Sequence, residues 1–142
     1  MTEHEFDHLA ENLKMILDPD LVFVAEINGE PVGFSLTVPD VNQAFRGTGG
    51  YLVPALVRVL AFRWFRRFTW LRVIAMGVTK EHRMRGIAGM MYLETAKAAV
   101  PKGYKMAELS WILESNVAMN ADIKMLCGEV YKTYRVYEKA LA

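Results

Sequence analysis

The stretch Trp70-Leu71-Arg72-Val73-Ile74-Ala75-Met76-Gly77-Val78-Thr79-Lys80-Glu81-His82-Arg83-Met84-Arg85-Gly86-Ile87-Ala88 decides how this chain is read. Trp70 to Met76 is a β-rich run. Gly77 follows it, Val78–Arg85 reads as a basic loop, and a helix opens at about Gly86 and runs to Val100. Pro101 and Gly103 stop that helix. A helix start offers N–H groups with no intrahelical partner and about half a positive charge. Such an end takes up phosphate oxygens. Gly86 lets the backbone approach an anion closely, Ala88 adds little bulk, and Arg83 and Arg85 supply charge beside it. The competing reading is an ordinary crossover loop with solvated arginines. Placement between a strand and a helix favours the phosphate site.

On the C-terminal side, Lys105–Leu113 reads as a strand. Ala107, Leu109, Trp111 and Leu113 take one face; Glu108, Ser110, Ile112 and Glu114 take the other. Strand, loop, helix and strand over 70–113 form a right-handed crossover between parallel strands. A short helix follows over Asn116–Leu126, capped by Ser115 or Asn116 and closed by Gly128. Glu129–Glu138 reads as a last strand. On the N-terminal side, Leu21–Ile27 and Val32–Val38 flank Asn28-Gly29, a strong hairpin signal because both residues tolerate positive φ. Phe6, Leu9, Leu13, Ile16 and Leu17 make one apolar stripe on a helix over 3–17. Residues 41–50 are loop-like. Tyr51–Phe68 reads as a helix with arginines along one side.

A chain of 142 residues, 53% hydrophobic and 23% charged, fits one globular domain spanning 1–142. No apolar run approaches the roughly 18 residues of a membrane span. Tyr51–Phe68 comes nearest and is broken by Arg58, Arg63, Arg66 and Arg67. An acidic N-terminus without a signal-peptide pattern and the single Cys127 point to a reducing, cytoplasmic setting. Residues 1–50 hold nine acids and two bases, whereas residues 51–103 hold ten bases and two acids. A basic middle segment suits an anionic ligand.

Arg83-Met84-Arg85-Gly86-Ile87-Ala88 resembles the Arg/Gln-x-x-Gly-x-Gly/Ala motif of the GNAT superfamily of N-acetyltransferases. Gly77 to Arg83 resembles the family's strand end and approach loop. Glu108–Tyr137, with Glu114-Ser115-Asn116 before a helix and Val130-Tyr131-Lys132-Thr133-Tyr134 after it, resembles the second half of the family core. The likeness covers about residues 21–138. It implies an α/β (α+β) fold: a mixed, mostly antiparallel sheet with a parallel, splayed strand pair, flanked by helices. It also implies acetyl-CoA or another acyl-CoA as cofactor. The motif residues Arg83, Met84, Arg85, Gly86, Ile87 and Ala88 would hold the pyrophosphate. Met76, Gly77 and Val78 would pair with the pantetheine arm, Gly77 suiting an irregularity where the strands part. Asn116 matches a position that contacts the pantetheine, and the Val78 N–H is the oxyanion donor by the same likeness. The chain lacks the family's usual first strand and helix, and it resembles the C-terminal part of longer bacterial proteins. A missing first strand would expose a sheet edge, which suggests a homodimer.

Acyl transfer needs a neutral amine, donors for the developing oxyanion and a proton for the leaving thiolate. Glu114 and Glu108, sharing a face of one expected strand, are the base candidates, with Glu26 weaker; each also reads as a surface carboxylate. The family's usual acid tyrosine falls at Ile123 here. Tyr131 and Tyr134 are the remaining candidates, and both also read as packed strand tyrosines. Cys127 reads as a buried small residue. His4 and His8 have metal-like spacing without a third ligand, so no metal is expected. The acceptor is expected to be an amine of a small molecule or amino acid, its pocket built from residues 39–69. Variants are a long acyl group delivered by an acyl carrier protein and a non-catalytic acyl-CoA binder. The arginine–aromatic run Ala61–Arg72 could meet nucleic acid, an anionic membrane surface or an acidic carrier. Its plain reading is a core-packed helix with solvated arginines, with no nucleic-acid partner.

Overall fold

The computed structural model describes residues 14, 16–64 and 68–139. The helix expected over 3–17, with His4 and His8, lies almost wholly outside them. Contacts divide the chain into two units, Met1–Trp111 and Ile112–Ala142.

The first unit holds β1 (Val22–Ile27), β2 (Glu30–Pro39), α1 (Asn42–Phe45), α2 (Leu52–Trp64), β3 (Trp70–Val78), α3 (Ile87–Ala99) and β4 (Met106–Leu109). The strands form one sheet in the order β1-β2-β3-β4. β1–β2 and β2–β3 are antiparallel, and β3–β4 is parallel. The expected mixed, mostly antiparallel sheet is therefore present. Ile27 pairs with Glu30 across a two-residue turn in which Asn28 has φ 53° and Gly29 φ 83°. Positive φ at both positions matches the right-handed twist of the strands, as the Asn-Gly pair predicts.

α3 packs across β1, β2 and β3. Leu21, Leu71 and Ala99 form the buried core cluster, with Ala98 and Tyr104 against it. Lys102, just beyond α3, donates to both Asp18 and Asp20, each at 2.7 Å, and ties the end of the crossover to the start of β1.

Four expectations are corrected. β4 ends at Leu109 instead of Leu113. Trp111 takes φ 67°, a left-handed conformation that a bulky side chain rarely adopts and that cannot continue a strand. Glu129–Glu138 is not a strand: residues 129–139 are irregular and exposed, because alternation supplies a strand only where a ladder partner completes it. Cys127 is exposed, not buried; it takes φ 58° just past the helix of the second unit. Last, α2 is not core-packed: its main apolar stripe faces outward, with only Ala55 buried.

The second unit contains α4 (Val117–Met125). The Asn116 side chain accepts the Met119 N–H at 3.3 Å, so of the two expected caps, Ser115 and Asn116, it is Asn116 that serves. Gly128 donates its N–H to the Ile123 carbonyl at 2.9 Å and closes the helix. A Cβ on Gly128 would lie 2.5 Å from Ile123 Cγ2, so a larger residue there would force Ile123 to shift.

Candidate functional site

The parallel ladder pairs Trp70 with Met106 through Val73 with Leu109, and stops there. From Ala75 to Val78, β3 keeps its antiparallel partner β2 but has no β4 partner. The divergence coincides with a bulge: Leu36 pairs with Ala75 and Thr37 with Val73, leaving Ile74 as the extra residue. The irregularity expected at Gly77 thus sits at Ile74. Gly77 has a different task. A Cβ there would lie 3.3 Å from Phe34 Cε1, so the glycine lets the Phe34 ring close over the strand.

Register decides which way the open edge of β3 points. Thr79 donates its N–H to the Val32 carbonyl at 2.8 Å. In an antiparallel ladder, hydrogen-bonded pairs alternate with pairs whose peptide groups face away from each other. Val78 opposite Gly33 and Met76 opposite Ser35 are of the second kind. Their N–H and C=O groups therefore point away from β2, along the edge that β4 has left. The Val78 carbonyl accepts from Arg83 Nε at 3.3 Å, which ties the basic loop to the strand end.

A 3-10 turn, Lys80–His82, follows, with Thr79 Oγ1 3.0 Å from His82 Nδ1. Two left-handed residues then shape the entry to α3: Met84 at φ 62° and Gly86 at φ 79°, ψ 1°. Gly86 is the N-cap and makes no side-chain cap bond, so the first-turn N–H groups of Ile87, Ala88 and Gly89 gain no such partner. Arg83, Met84, Arg85 and Gly86 are exposed, and a Cβ on Gly86 or Gly89 would meet nothing within 4 Å. An uncapped helix start that follows two exposed arginines can hold a dianionic group. Gly89 extends the candidate set by one residue; the signal was a second glycine one turn into the helix.

Of the catalytic candidates, Glu26 and Glu108 lie in the first unit, and Glu114, Tyr131 and Tyr134 in the second. Glu108, 9% exposed, accepts from Arg72 Nη2 at 2.7 Å, and Asp40 lies 3.9 Å from the same nitrogen. The parallel register sets Arg72 directly beside Glu108, so this carboxylate's lone pair goes to a guanidinium. Glu114 is exposed in the turn before α4, and the strand face it was to share with Glu108 does not exist. Tyr131 and Tyr134 are exposed in the irregular segment, Lys132 Nζ lying 5.1 Å from the Tyr131 ring. Glu26 is exposed on β1.

Of two cavities, the second reaches the phosphate motif through Arg85 and Ile87. One of about 230 Å³, lined by Pro39, Phe68, Lys102 and Tyr104, sits at the end of the sheet where β3 begins, far from Gly77. The other, about 260 Å³, lies between β1 and α3 and is lined by Val24, Glu26, Arg85, Met90 and Glu94.

No family model matches the chain. The bacterial ceramide synthase of Caulobacter vibrioides is 38% identical over 145 residues, covering 99% of this chain and 38% of its own length. Protein YghO of Escherichia coli is 32% identical over 152 residues, covering 99% of this chain and 37% of its own length. The chain thus spans well under half of these curated relatives. Among solved structures, the aminoglycoside acetyltransferase AAC(6′)-Iy, in complex with a CoA bisubstrate analogue, superposes with a TM-score of 0.61. That match has 17% identity and covers 95% of this chain and 80% of the other. The sheet order, the parting of β3 from β4 and this superposition agree: the chain has the acyl-CoA N-acyltransferase fold of the GNAT acetyltransferases.

Proposed function

We propose that this chain is the acyl-CoA-binding part of an N-acyltransferase that moves an acyl group from CoA to an amine. The observation that carries the reading is a pair of backbone features in series. The outward-facing peptide groups of Met76 and Val78 lead directly into the open, arginine-flanked helix start at Gly86. The pantetheine arm adds to the free edge of β3 as a further strand would. Residues Arg83–Ala88 hold the pyrophosphate through backbone N–H groups and two guanidinium groups.

A neutral amine attacks the thioester carbonyl, forming the C–N bond while the carbonyl oxygen gains negative charge. The N–H of Val78, with that of Met76, is aimed along the edge where this charge develops. Collapse breaks the C–S bond; the amine gives up a proton and the thiolate accepts one. We assign the base to Glu114, because Glu108 is held by Arg72. Tyr131 and Tyr134 as proton donors, and Asn116 as a pantetheine contact, enter this proposal from the family likeness of the sequence alone.

The relatives' names narrow the acceptor. A ceramide is the amide of a fatty acid with a long-chain amino alcohol, and an aminoglycoside acetyltransferase acylates an amine. We infer an amine acceptor, with a long-chain amino alcohol favoured over an amino acid. The test is thiol release from acetyl-CoA and palmitoyl-CoA against a panel holding sphinganine, aminoglycosides and amino acids. Turnover with an amine, reduced at least tenfold by Glu114→Gln, supports the reading. A second reading, a CoA binder without chemistry, is favoured by Ile123 at the family's tyrosine position. CoA binding with no turnover for any amine would establish it. β1 is one of the sheet's two edge strands among the described residues, and a homodimer across it belongs to the same proposal. A monomer by light scattering would remove that part.

A further inference from the structure

Beside the phosphate turn lies the cavity of about 260 Å³ between β1 and α3. Strand register builds its floor. A Cβ on Gly33 would lie 3.5 Å from Met91 Cε, so the Gly33 side of the sheet faces α3. Ala25 pairs with Gly33 and Phe23 with Ser35, which puts both side chains on that face. Ile87, Met90 and Met91 of α3 form the wall, and Glu26, Arg85 and Glu94 supply the charges. Arg85 and Ile87 bracket Gly86, the N-cap of α3, so the cleft reaches the proposed diphosphate position. It does so on the side away from the pantetheine edge, because β2 separates β1 from β3 and the free edge of β3 faces β4.

CoA is a diphosphate with two arms, and the β3 edge accounts for the pantetheine arm alone. The other arm, 3′-phosphorylated adenosine, leaves the same diphosphate, and the cleft matches it in chemistry. A purine is flat and apolar on its faces, which suits the Phe23 ring and the thioethers of Met90 and Met91. Its exocyclic amine and the ribose 2′-hydroxyl are donors, which carboxylates accept. Glu26 is exposed, and Glu94 gives one oxygen to Lys97 at 2.7 Å and keeps a second. The same carboxylates repel phosphate, so the 3′-phosphate stays outside the cleft, in water. An acyl chain is a poorer occupant: it has no donors for the two carboxylates, and the thioester edge of β3 lies beyond β2. Resting on the acyl-CoA reading above, we propose that the cleft between β1 and α3 binds the adenosine of CoA, with the base against Phe23 and Met90.

Calorimetry of the full chain with CoA, dephospho-CoA and 4′-phosphopantetheine tests this. Phe23→Ala/Met90→Ala should weaken CoA about tenfold, within the range a stacked base contributes, and leave 4′-phosphopantetheine within about twofold. Met90 is 58% exposed, so Met90→Ala alone, with a smaller loss of the same kind, serves if the double variant unfolds. Dephospho-CoA should bind within about threefold of CoA, because the 3′-phosphate lies outside the cleft. With methionines labelled by carbon-13 at the methyl, Met90 should show a nuclear Overhauser effect to the adenine ring protons in the CoA complex. The proposal is overturned if CoA binds and no methionine methyl of the cleft reaches the adenine, or if the variants weaken CoA and 4′-phosphopantetheine equally. It is also overturned if dephospho-CoA falls to the level of 4′-phosphopantetheine, since the 3′-phosphate and not the adenosine then carries the affinity. Each of these results leaves the acyl-CoA reading standing, whereas a chain that binds none of the three ligands removes both.

Discussion

Gly86 and Glu108 show how differently two residues of one candidate site can behave. Gly86 stands at φ 79° with open space where a Cβ would go. Any L side chain there costs about 1 kcal/mol of backbone strain without a clash. Gly86→Asn, which tolerates the left-handed region, is therefore expected to keep the melting temperature within a few degrees. Gly86→Glu adds a carboxylate where the diphosphate is proposed to sit and should weaken CoA binding more than a hundredfold by calorimetry. Equal affinity of the two variants would place the phosphates elsewhere. Glu108 was legible only as a carboxylate in a strand; its partner depends on which strands pair and in which register, and a sequence pattern holds no such information. With Arg72 beside it at 2.7 Å, Arg72→Ala leaves a largely buried carboxylate without its guanidinium. We expect a loss of about 2 kcal/mol in urea unfolding, below the figure for a fully buried pair because the Arg72 side chain is 31% exposed. If Glu108→Gln reduces turnover with stability unchanged, Glu108 is chemical after all.

Elements were legible where their cause was local. The β1–β2 hairpin is dictated by Asn28-Gly29, and Gly29→Ala should cost about 1 kcal/mol through φ 83° alone, since nothing lies within 4 Å of the added methyl. Denaturation of that variant beside Glu30→Ala, a neighbour without the φ constraint, is the check. The expected last strand failed because alternation over Val130–Tyr137 says nothing of a ladder partner, and β4 fell short because one residue, Trp111, left the β region. The Lys102 tether was equally invisible, joining residues 84 apart. Its pKa is the outcome of opposed causes: burial lowers it, and the hydrogen bonds and charges of Asp18 and Asp20 outweigh that and raise it. A raised folded value means the tether contributes fully below the ordinary lysine pKa of about 10.4 and fades as pH climbs through the raised value. The melting-temperature gap between wild type and Lys102→Met should hold from neutral pH to about pH 10 and shrink above it. A gap that closes already at neutral pH would remove the ion pairs as its cause.

Over the whole molecule, charge is sorted along the chain: acids dominate residues 1–50, and bases dominate 51–103. This asymmetry was readable from the sequence, and the fold gives it a location, because the proposed pyrophosphate turn falls inside the basic half. Arg83 and Arg85 are exposed, so their attraction for a diphosphate acts partly through water and is screened over about 10 Å at 0.1 M salt. The backbone N–H groups of the α3 start work by short-range hydrogen bonds, which salt disturbs little. The two contributions therefore separate experimentally. Raising NaCl from about 0.05 to about 0.5 M should weaken CoA binding several-fold in the wild type, as the Debye length falls from above 10 Å to about 4 Å. Arg83→Ala/Arg85→Ala should bind more weakly at low salt and lose most of the salt dependence, so the two titration curves converge at high salt. Parallel curves would mean that the two arginines do not face the anion, and that the helix start carries the diphosphate without them.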